Sequence, residues 1–227
     1  MNLHDIRMRV ATPNDAAALL NIYAPYVQNT AITFEYEVPT TEEYARRISS
    51  FGSDFPFLVA EKPIEAVTVT NPHDAFAFSS ASISGNTTTP ATQILGYAYA
   101  HPYYGYAAYS WCAELTIYVA PEARHQKVGT LLYDTLEDAL GRMGILNVYA
   151  CITTSDDALD PRVPVASVHF HASRGYRIIG TFEKCGYKFN RWYNTVWMQK
   201  TLGSHQDDMS TPHSFANVRG SLSWLVQ

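Results

Sequence analysis

Residues 111–133 read WCAELTIYVAPEARHQKVGTLLY, and this stretch decides the architecture of the chain. From Trp111 to Val119 the apolar residues Trp111, Ala113, Leu115, Ile117 and Val119 alternate with Cys112, Glu114, Thr116 and Tyr118, the period of a strand. Glu114 therefore shares a face with Thr116 and Tyr118, and it is the one carboxylate in an otherwise apolar strand. Pro121 ends the strand because it cannot donate to a ladder. From Val128 the residues Leu131, Leu132, Leu136 and Leu140 fall at helical spacing, and Gly141 and Gly144 are available to end the helix. A strand, a tight turn and a helix start aim several unpaired N–H groups and the positive end of the helix dipole at one spot, which suits an anion such as phosphate.

Working outward, residues 5–11 form a short strand candidate. Thr12, Pro13, Asn14 and Asp15 supply a cap, a first-turn proline and an acid for a helix reaching about Val27. Thr40, Thr41, Glu42 and Glu43 open a second helix. Strands are expected over 55–61, 94–100, 147–153, 176–184 and 192–200, with a helix over 165–173 that Gly175 ends. The order predicts a single α/β domain over residues 1–201, a mixed, mostly antiparallel twisted sheet flanked by helices on both faces.

Two insertions are expected, at about 62–93 and 154–163. The first is rich in Ser, Thr, Asn and Pro, as in SSASISGNTTTPAT over 79–92. Such a composition buries too little apolar surface to offset its ordering entropy. The tail 202–227 is expected to be poorly ordered unless Trp224, Leu225 and Val226 dock.

The net charge of −5 argues against a nucleic-acid partner, although Arg124, His125 and Lys127 make a local basic spot. Cys112, Cys151 and Cys185 are odd in number, far apart and without a CxxC spacing, so neither a disulfide framework nor a metal site is expected. No apolar run approaches the roughly 18 residues of a spanning helix, so a cytoplasmic protein with no membrane partner is expected.

Residues 124–129, RHQKVG, resemble the pyrophosphate loop of the GCN5-related N-acetyltransferases: Gln or Arg, two residues, Gly, one residue, then Gly or Ala. Residues 108–119, AYSWCAELTIYV, and 167–192, SVHFHASRGYRIIGTFEKCGYKFNRW, narrow the resemblance to the phosphinothricin acetyltransferase branch. It extends over roughly residues 6–61, 94–153 and 164–200.

The resemblance implies an acetyl-coenzyme A dependent N-acetyltransferase that forms a ternary complex and acts on the primary amine of a small molecule, an amino acid or an analogue of one. It implies cosubstrate contacts from the backbone at Ile117, Tyr118 and Val119, and from Arg124, His125, Gln126, Lys127, Val128, Gly129 and Thr130. Glu114 takes the place of the general base, and desolvation raises a buried carboxylate towards a useful pKa. His171 takes the place of an acid or relay. Phe34, Tyr103, Tyr106 and Trp111 are implied as walls of the acceptor pocket, and a homodimer is expected because family members often are.

Three departures from the pattern stand out. Lys127 occupies the place of the first loop glycine. Pro164 replaces an asparagine that contacts the cofactor, leaving Ser167 as the nearest substitute. Tyr104 and Tyr106 replace basic residues that hold an acidic substrate, with Lys188 or Arg191 as the remaining candidate anchors. Rival readings are a protein N-terminal or lysine acetyltransferase, and a non-catalytic acetyl-coenzyme A binding regulator. Deleting residues 66–90 and rejoining the chain is expected to leave soluble protein with its thermal unfolding midpoint nearly unchanged; loss of soluble protein would make the insertion structural.

Overall fold

A computed structural model of the chain describes residues 5–52, 54–64 and 91–225. The core of the 62–93 insertion therefore lies outside the described residues. In chain order the elements are β1 (Arg7–Val10), α1 (Ala16–Asn29), α2 (Thr41–Gly52), β2 (Phe57–Pro63), β3 (Thr92–Pro102), β4 (Cys112–Val119), α3 (Val128–Met143), β5 (Asn147–Thr154), α4 (Ala166–Ser173), β6 (Arg177–Lys188), β7 (Arg191–Thr201) and a short α5 (Phe215–Val218). Among the described residues the strands form one seven-stranded sheet in the order β1-β2-β3-β4-β5-β7-β6. Every neighbouring pair is antiparallel except β4 and β5.

The two faces of the sheet are fixed by adjacent residues of β3. Tyr97 points to one face and bonds through its hydroxyl to that of Tyr44 on α2. Gly96 points to the other, where an added Cβ would lie 2.9 Å from the Tyr118 carbonyl and 3.3 Å from Leu132 of α3. Glycine at 96 lets α3 settle directly onto the sheet. α1 and α2 thus cover one face, with Tyr23, Tyr26, Tyr97 and Tyr118 in ring contact. On the opposite face the fully buried Leu132, Leu136 and Leu140 of α3 pack against the sheet.

Three local readings are corrected. Trp111 lies outside β4, because its carbonyl accepts the N–H groups of both Leu146 and Asn147 and so turns the chain before the strand begins. Its indole N–H donates to the Ser210 carbonyl at 3.0 Å, which draws the ring towards the tail.

Lys188 is 2% exposed, and its ammonium donates to the carbonyls of Val27, Thr30 and Thr33 at 2.8, 3.0 and 2.8 Å. It closes the C-terminal end of α1, where carbonyls lack helical partners, and has no donor left for a substrate. Arg191 reaches Asp157 and Asp160 of the 154–163 segment, so neither candidate anchor is available.

The tail was expected to be loose unless its terminal apolar residues dock, and Trp224 and Leu225 do so. Trp224 donates its indole N–H to Asp138 of α3 at 2.8 Å, and Leu225 bridges to Met8 of β1. Phe215 and Leu222 enter the main core, and the Phe215 N–H bonds to the Asp54 carbonyl. Replacing Phe215 with alanine is expected to lower the free energy of unfolding by about 3 kcal/mol, the usual loss for a buried phenylalanine. Urea titration checks this, and a loss below about 1 kcal/mol would show that the tail adds nothing to the core.

Candidate active site

The register of β4 against its two neighbours builds the site. β4 pairs with β3 from Pro102↔Ala113 to Gly96↔Val119. With β5 it pairs only at Cys112↔Asn147, Ala113↔Val148 and Glu114↔Tyr149. Beyond Glu114 the two parallel strands part, because β5 follows β7 through to Thr154↔Asn194. The Ala120 N–H donates to the Leu95 carbonyl, so the positions bonded to β3 are the even-numbered ones. The main-chain groups of Leu115, Ile117 and Val119 are thereby turned towards the opening, while those of Tyr118 are taken up by β3. The Val119 carbonyl receives the Tyr26 hydroxyl at 2.6 Å.

A cavity of about 90 Å³ fills this opening. Ile117, Cys151, Tyr133, Pro164, Ser167 and His171 are among its walls. At its outer end comes the turn from Pro121 to Lys127. A single 3-10 turn, Pro121–Ala123, leads to Arg124 in an extended conformation, and Lys127 precedes the first residue of α3. His125 has φ 60° and Lys127 has φ 63°. Lys127 thus adopts the left-handed conformation that a glycine would adopt freely, so the turn keeps its shape without the glycine. α3 carries no side-chain cap, and its first bond is from the Leu131 N–H to the Lys127 carbonyl. The first-turn amides at 128, 129 and 130 are the ones a helix leaves unpaired, and they face an anion with the favourable end of the dipole. The Arg124 guanidinium lies over the Tyr26 ring at 5.1 Å, beside this turn.

His171 is 3% exposed. Its Nδ1 lies 2.8 Å from the Ser167 carbonyl, and its Nε2 lies 2.7 Å from the Tyr133 hydroxyl. A carbonyl can only accept, so Nδ1 carries the proton and Nε2 accepts from Tyr133. Burial lowers the His171 pKa, which keeps this neutral tautomer. The histidine therefore reaches the cavity through Tyr133, a residue the sequence reading missed. Both line the same cavity. Nothing local in the sequence marks Tyr133, which looks like one more apolar position of α3.

Glu114 lies on the other face of the sheet, at the point where the strands part. Its carboxylate is 3.9 Å from His101 Nε2, its register partner on β3. Burial raises its pKa and the charge of His101 opposes the rise. Among the described residues no arginine pairs with this carboxylate, and its burial favours proton uptake.

The four residues expected as acceptor walls are not equivalent. Tyr103 stacks on Tyr149, the register partner of Glu114, with ring centroids 4.3 Å apart. Tyr106 is 74% exposed. Phe34 packs with Ala31, Val163 and Tyr193 in a small satellite core. It lies flat on Gly186 of β6, where any side chain would overlap its ring. Trp111 is held by the tail and does not line the cavity.

A mixed α/β sheet whose two central parallel strands part beside an uncapped helix start, with a carboxylate at the fork, defines the acetyltransferase class. The sequence matches the family model described as "Acetyltransferase (GNAT) domain" over residues 8–70 and 87–197, and the chain belongs to that family. It is 30% identical over 198 residues to a phosphinothricin N-acetyltransferase of Streptomyces coelicolor, covering 87% of this chain and 97% of that one. It is 33% identical over 197 residues to an N-acetyltransferase of Streptomyces griseus, covering 87% of each. The crystal structure of a phosphinothricin acetyltransferase from Sinorhizobium meliloti in complex with acetyl-coenzyme A superimposes with a TM-score of 0.68 at 25% identity, over 91% of this chain and 94% of that one.

Glycine in place of Lys127 is expected to raise the free energy of unfolding by up to about 1 kcal/mol, because a left-handed backbone strains any residue with a Cβ. Chemical denaturation measures this, and a loss of stability would mean that the Lys127 side chain makes compensating contacts.

Proposed function

We propose that the protein transfers the acetyl group of acetyl-coenzyme A to the primary amine of a small molecule, an amino acid or an analogue of one. The observation that carries this reading is the parting of β4 from β5 immediately after Glu114, with the unpaired start of α3 at its outer end. The relatives named for phosphinothricin acetylation support the small-molecule acceptor.

Acetyl-coenzyme A, when bound, supplies the activated thioester. Residues 124–130 hold its diphosphate through main-chain donors and the dipole of α3. The outward amides of Ile117 and Val119 replace the missing neighbour strand for an extended amide chain, which suits pantetheine, and polarise the acyl carbonyl. Ser167 and Pro164 form the opposite wall. Glu114 takes the proton from the acceptor ammonium, so that the neutral amine attacks the carbonyl directly. Tyr133, backed by His171, presents a hydroxyl to the departing thiolate. Burial raises the pKa of Tyr133, which keeps that proton in place at neutral pH.

A covalent acyl-cysteine route is disfavoured. Cys151 is the thiol in the cavity wall, and burial, with the charge of Glu114 adding to it, pushes its pKa up to about 11. A protonated thiol is a poor nucleophile.

A cytoplasmic location fits the reading, since among the described residues no helix is long and apolar enough to cross a membrane. The expected homodimer would form along the β6 edge, where Ile178, Phe182 and Trp192 are exposed and, among the described residues, the backbone of β6 has no strand neighbour on one side.

Glutamine in place of Glu114 is expected to lower kcat by a factor of about 10² or more while acetyl-coenzyme A affinity stays within about twofold, the reach of general-base catalysis. The base works only when ionised, so wild-type kcat/KM is lost as pH falls through the folded-state pKa. Because burial raises that pKa, the acid limb should lie above 4.5. Thiol-release kinetics across pH check both points, and wild-type turnover in the variant would remove Glu114 from the mechanism.

A further inference from the structure

The acceptor class can be narrowed, on the basis of the acetyl transfer proposed above, from the side chains that share a face with Glu114. Across the sheet Glu114 is in register with Tyr149 of β5, and the next residue of β5 on that face, Cys151, is in register with Trp197 of β7. Tyr103 lies over both rings, stacked on Tyr149 at 4.3 Å and edge-on to Trp197 at 5.6 Å. Tyr104 and Tyr109 close against Tyr103 at 4.8 and 5.8 Å. Four tyrosines and a tryptophan therefore form a continuous aromatic surface beginning beside the carboxylate at the fork. Tyr103, Tyr149 and Trp197 are each only partly buried, so their edges are accessible.

Positive charge is scarce around this surface. Lys188 is enclosed by three carbonyls, Arg191 is paired with Asp157 and Asp160, and Arg47 is paired with Glu35. Arg177 keeps its charge, donating to the neutral side-chain oxygen of Gln199 at 3.3 Å, and lies two strands beyond Tyr149 at the far end of its row from Glu114. His101 faces Glu114 itself. The turn at 103–109 contributes tyrosine hydroxyls and no formal charge. An acceptor with an anion at its far end would leave that charge facing ring edges and hydroxyls, a poor exchange for water. A flat apolar body would instead pack against these rings, and the ammonium would lie beside Glu114, whose charge attracts it.

We propose that the acceptor is a primary amine whose body is an aromatic ring or a similarly flat apolar group, with no anionic group at its far end. The α-carboxylate of an amino acid is compatible with this, because it sits next to the amine and not at the far end. Selection comes from the surface formed by Tyr103, Tyr149 and Trp197, and the exposed Tyr104, edge-on to Tyr103 at 4.8 Å, extends it with a hydroxyl and no charge.

The test is thiol release from acetyl-coenzyme A by the full-length protein with phenylalanine, 2-phenylethylamine, methionine sulfone and phosphinothricin, each at concentrations that give kcat/KM. At least one of the two aromatic amines is expected to exceed phosphinothricin by about tenfold or more, the discrimination an apolar pocket can deliver. Phosphinothricin equal to or better than both would overturn the inference. Arginine at position 104, an exposed site where folding is not at stake, is expected to raise kcat/KM for phosphinothricin at least threefold and to leave that for 2-phenylethylamine unimproved. An unchanged ratio would also overturn it. Absence of thiol release with every amine, in protein that binds acetyl-coenzyme A by calorimetry, would instead overturn the proposed acetyl transfer on which the inference rests.

Discussion

The structure depends on a quarrel over hydrogen-bond partners at one point of the sheet. β4 and β5 begin as a parallel pair, and after Glu114 and Tyr149 each follows its outer neighbour, β3 on one side and β7 on the other. Leaving main-chain groups unpaired in a protein interior costs about 1–3 kcal/mol apiece, so strands do not part without support. The Tyr26 hydroxyl satisfies the Val119 carbonyl, and the linked Tyr133, His171 and Ser167 line the gap. What stays open is a slot with donors along one wall and a helix start at its end. An extended chain with amides in the middle and a diphosphate at one end satisfies both.

Several charges away from that slot are paired with one another. Arg9, for instance, is tied to Asp15 and Glu61, and Lys200 to Glu137. Lys188 would be an unpaired cation in the interior if it did not finish α1, and its three carbonyl partners are those the helix end and the following loop leave without donors. Glu114 is the contrast. It lies at the fork with the His101 ring 3.9 Å away, beyond hydrogen-bond length, and burial acts on it more strongly than that histidine does. A carboxylate held this way retains affinity for a proton, which an arginine-paired one would lose.

The sheet and the site core were legible in the sequence because their signals are local. Strict alternation from Ala113 to Val119, leucines at helical spacing from Leu131, and one acid in an apolar run need no knowledge of distant residues. The features that escaped are set by partners far along the chain. Lys188 caps a helix about 160 positions earlier, Trp111 turns to Ser210, and Trp224 reaches back to Asp138. The left-handed backbone at His125 and Lys127 was hidden for another reason: glycine announces such a conformation, and a residue with a Cβ that is forced into it does not. The 154–163 insertion was expected from its place in the chain, but not its attachment: Asp160 is buried and Asp156 accepts from Asn194, so its acids bind it to β7.

The fixed tautomer of His171 has a consequence for the route of the second proton. With Nδ1–H held by the Ser167 carbonyl and Nε2 accepting from Tyr133, the ring has no proton to give the cavity directly and no lone pair to spare. The mobile proton on that side belongs to Tyr133. When the Tyr133 hydroxyl turns to an anionic sulfur, Nε2 of His171 loses its donor, an unfavourable state in a site this dry. Return of the hydroxyl to the histidine is then favourable once the thiolate, hydrogen-bonded by Tyr133 and not protonated by it, has left. A neutral histidine locked from behind thus accepts from the tyrosine and holds its hydroxyl in place between turnovers, whereas an imidazolium would donate from Nε2 to the hydroxyl oxygen and reverse the bond. The burial that lowers the His171 pKa and the burial that raises that of Tyr133 act in the same direction, towards a pair that is neutral at rest.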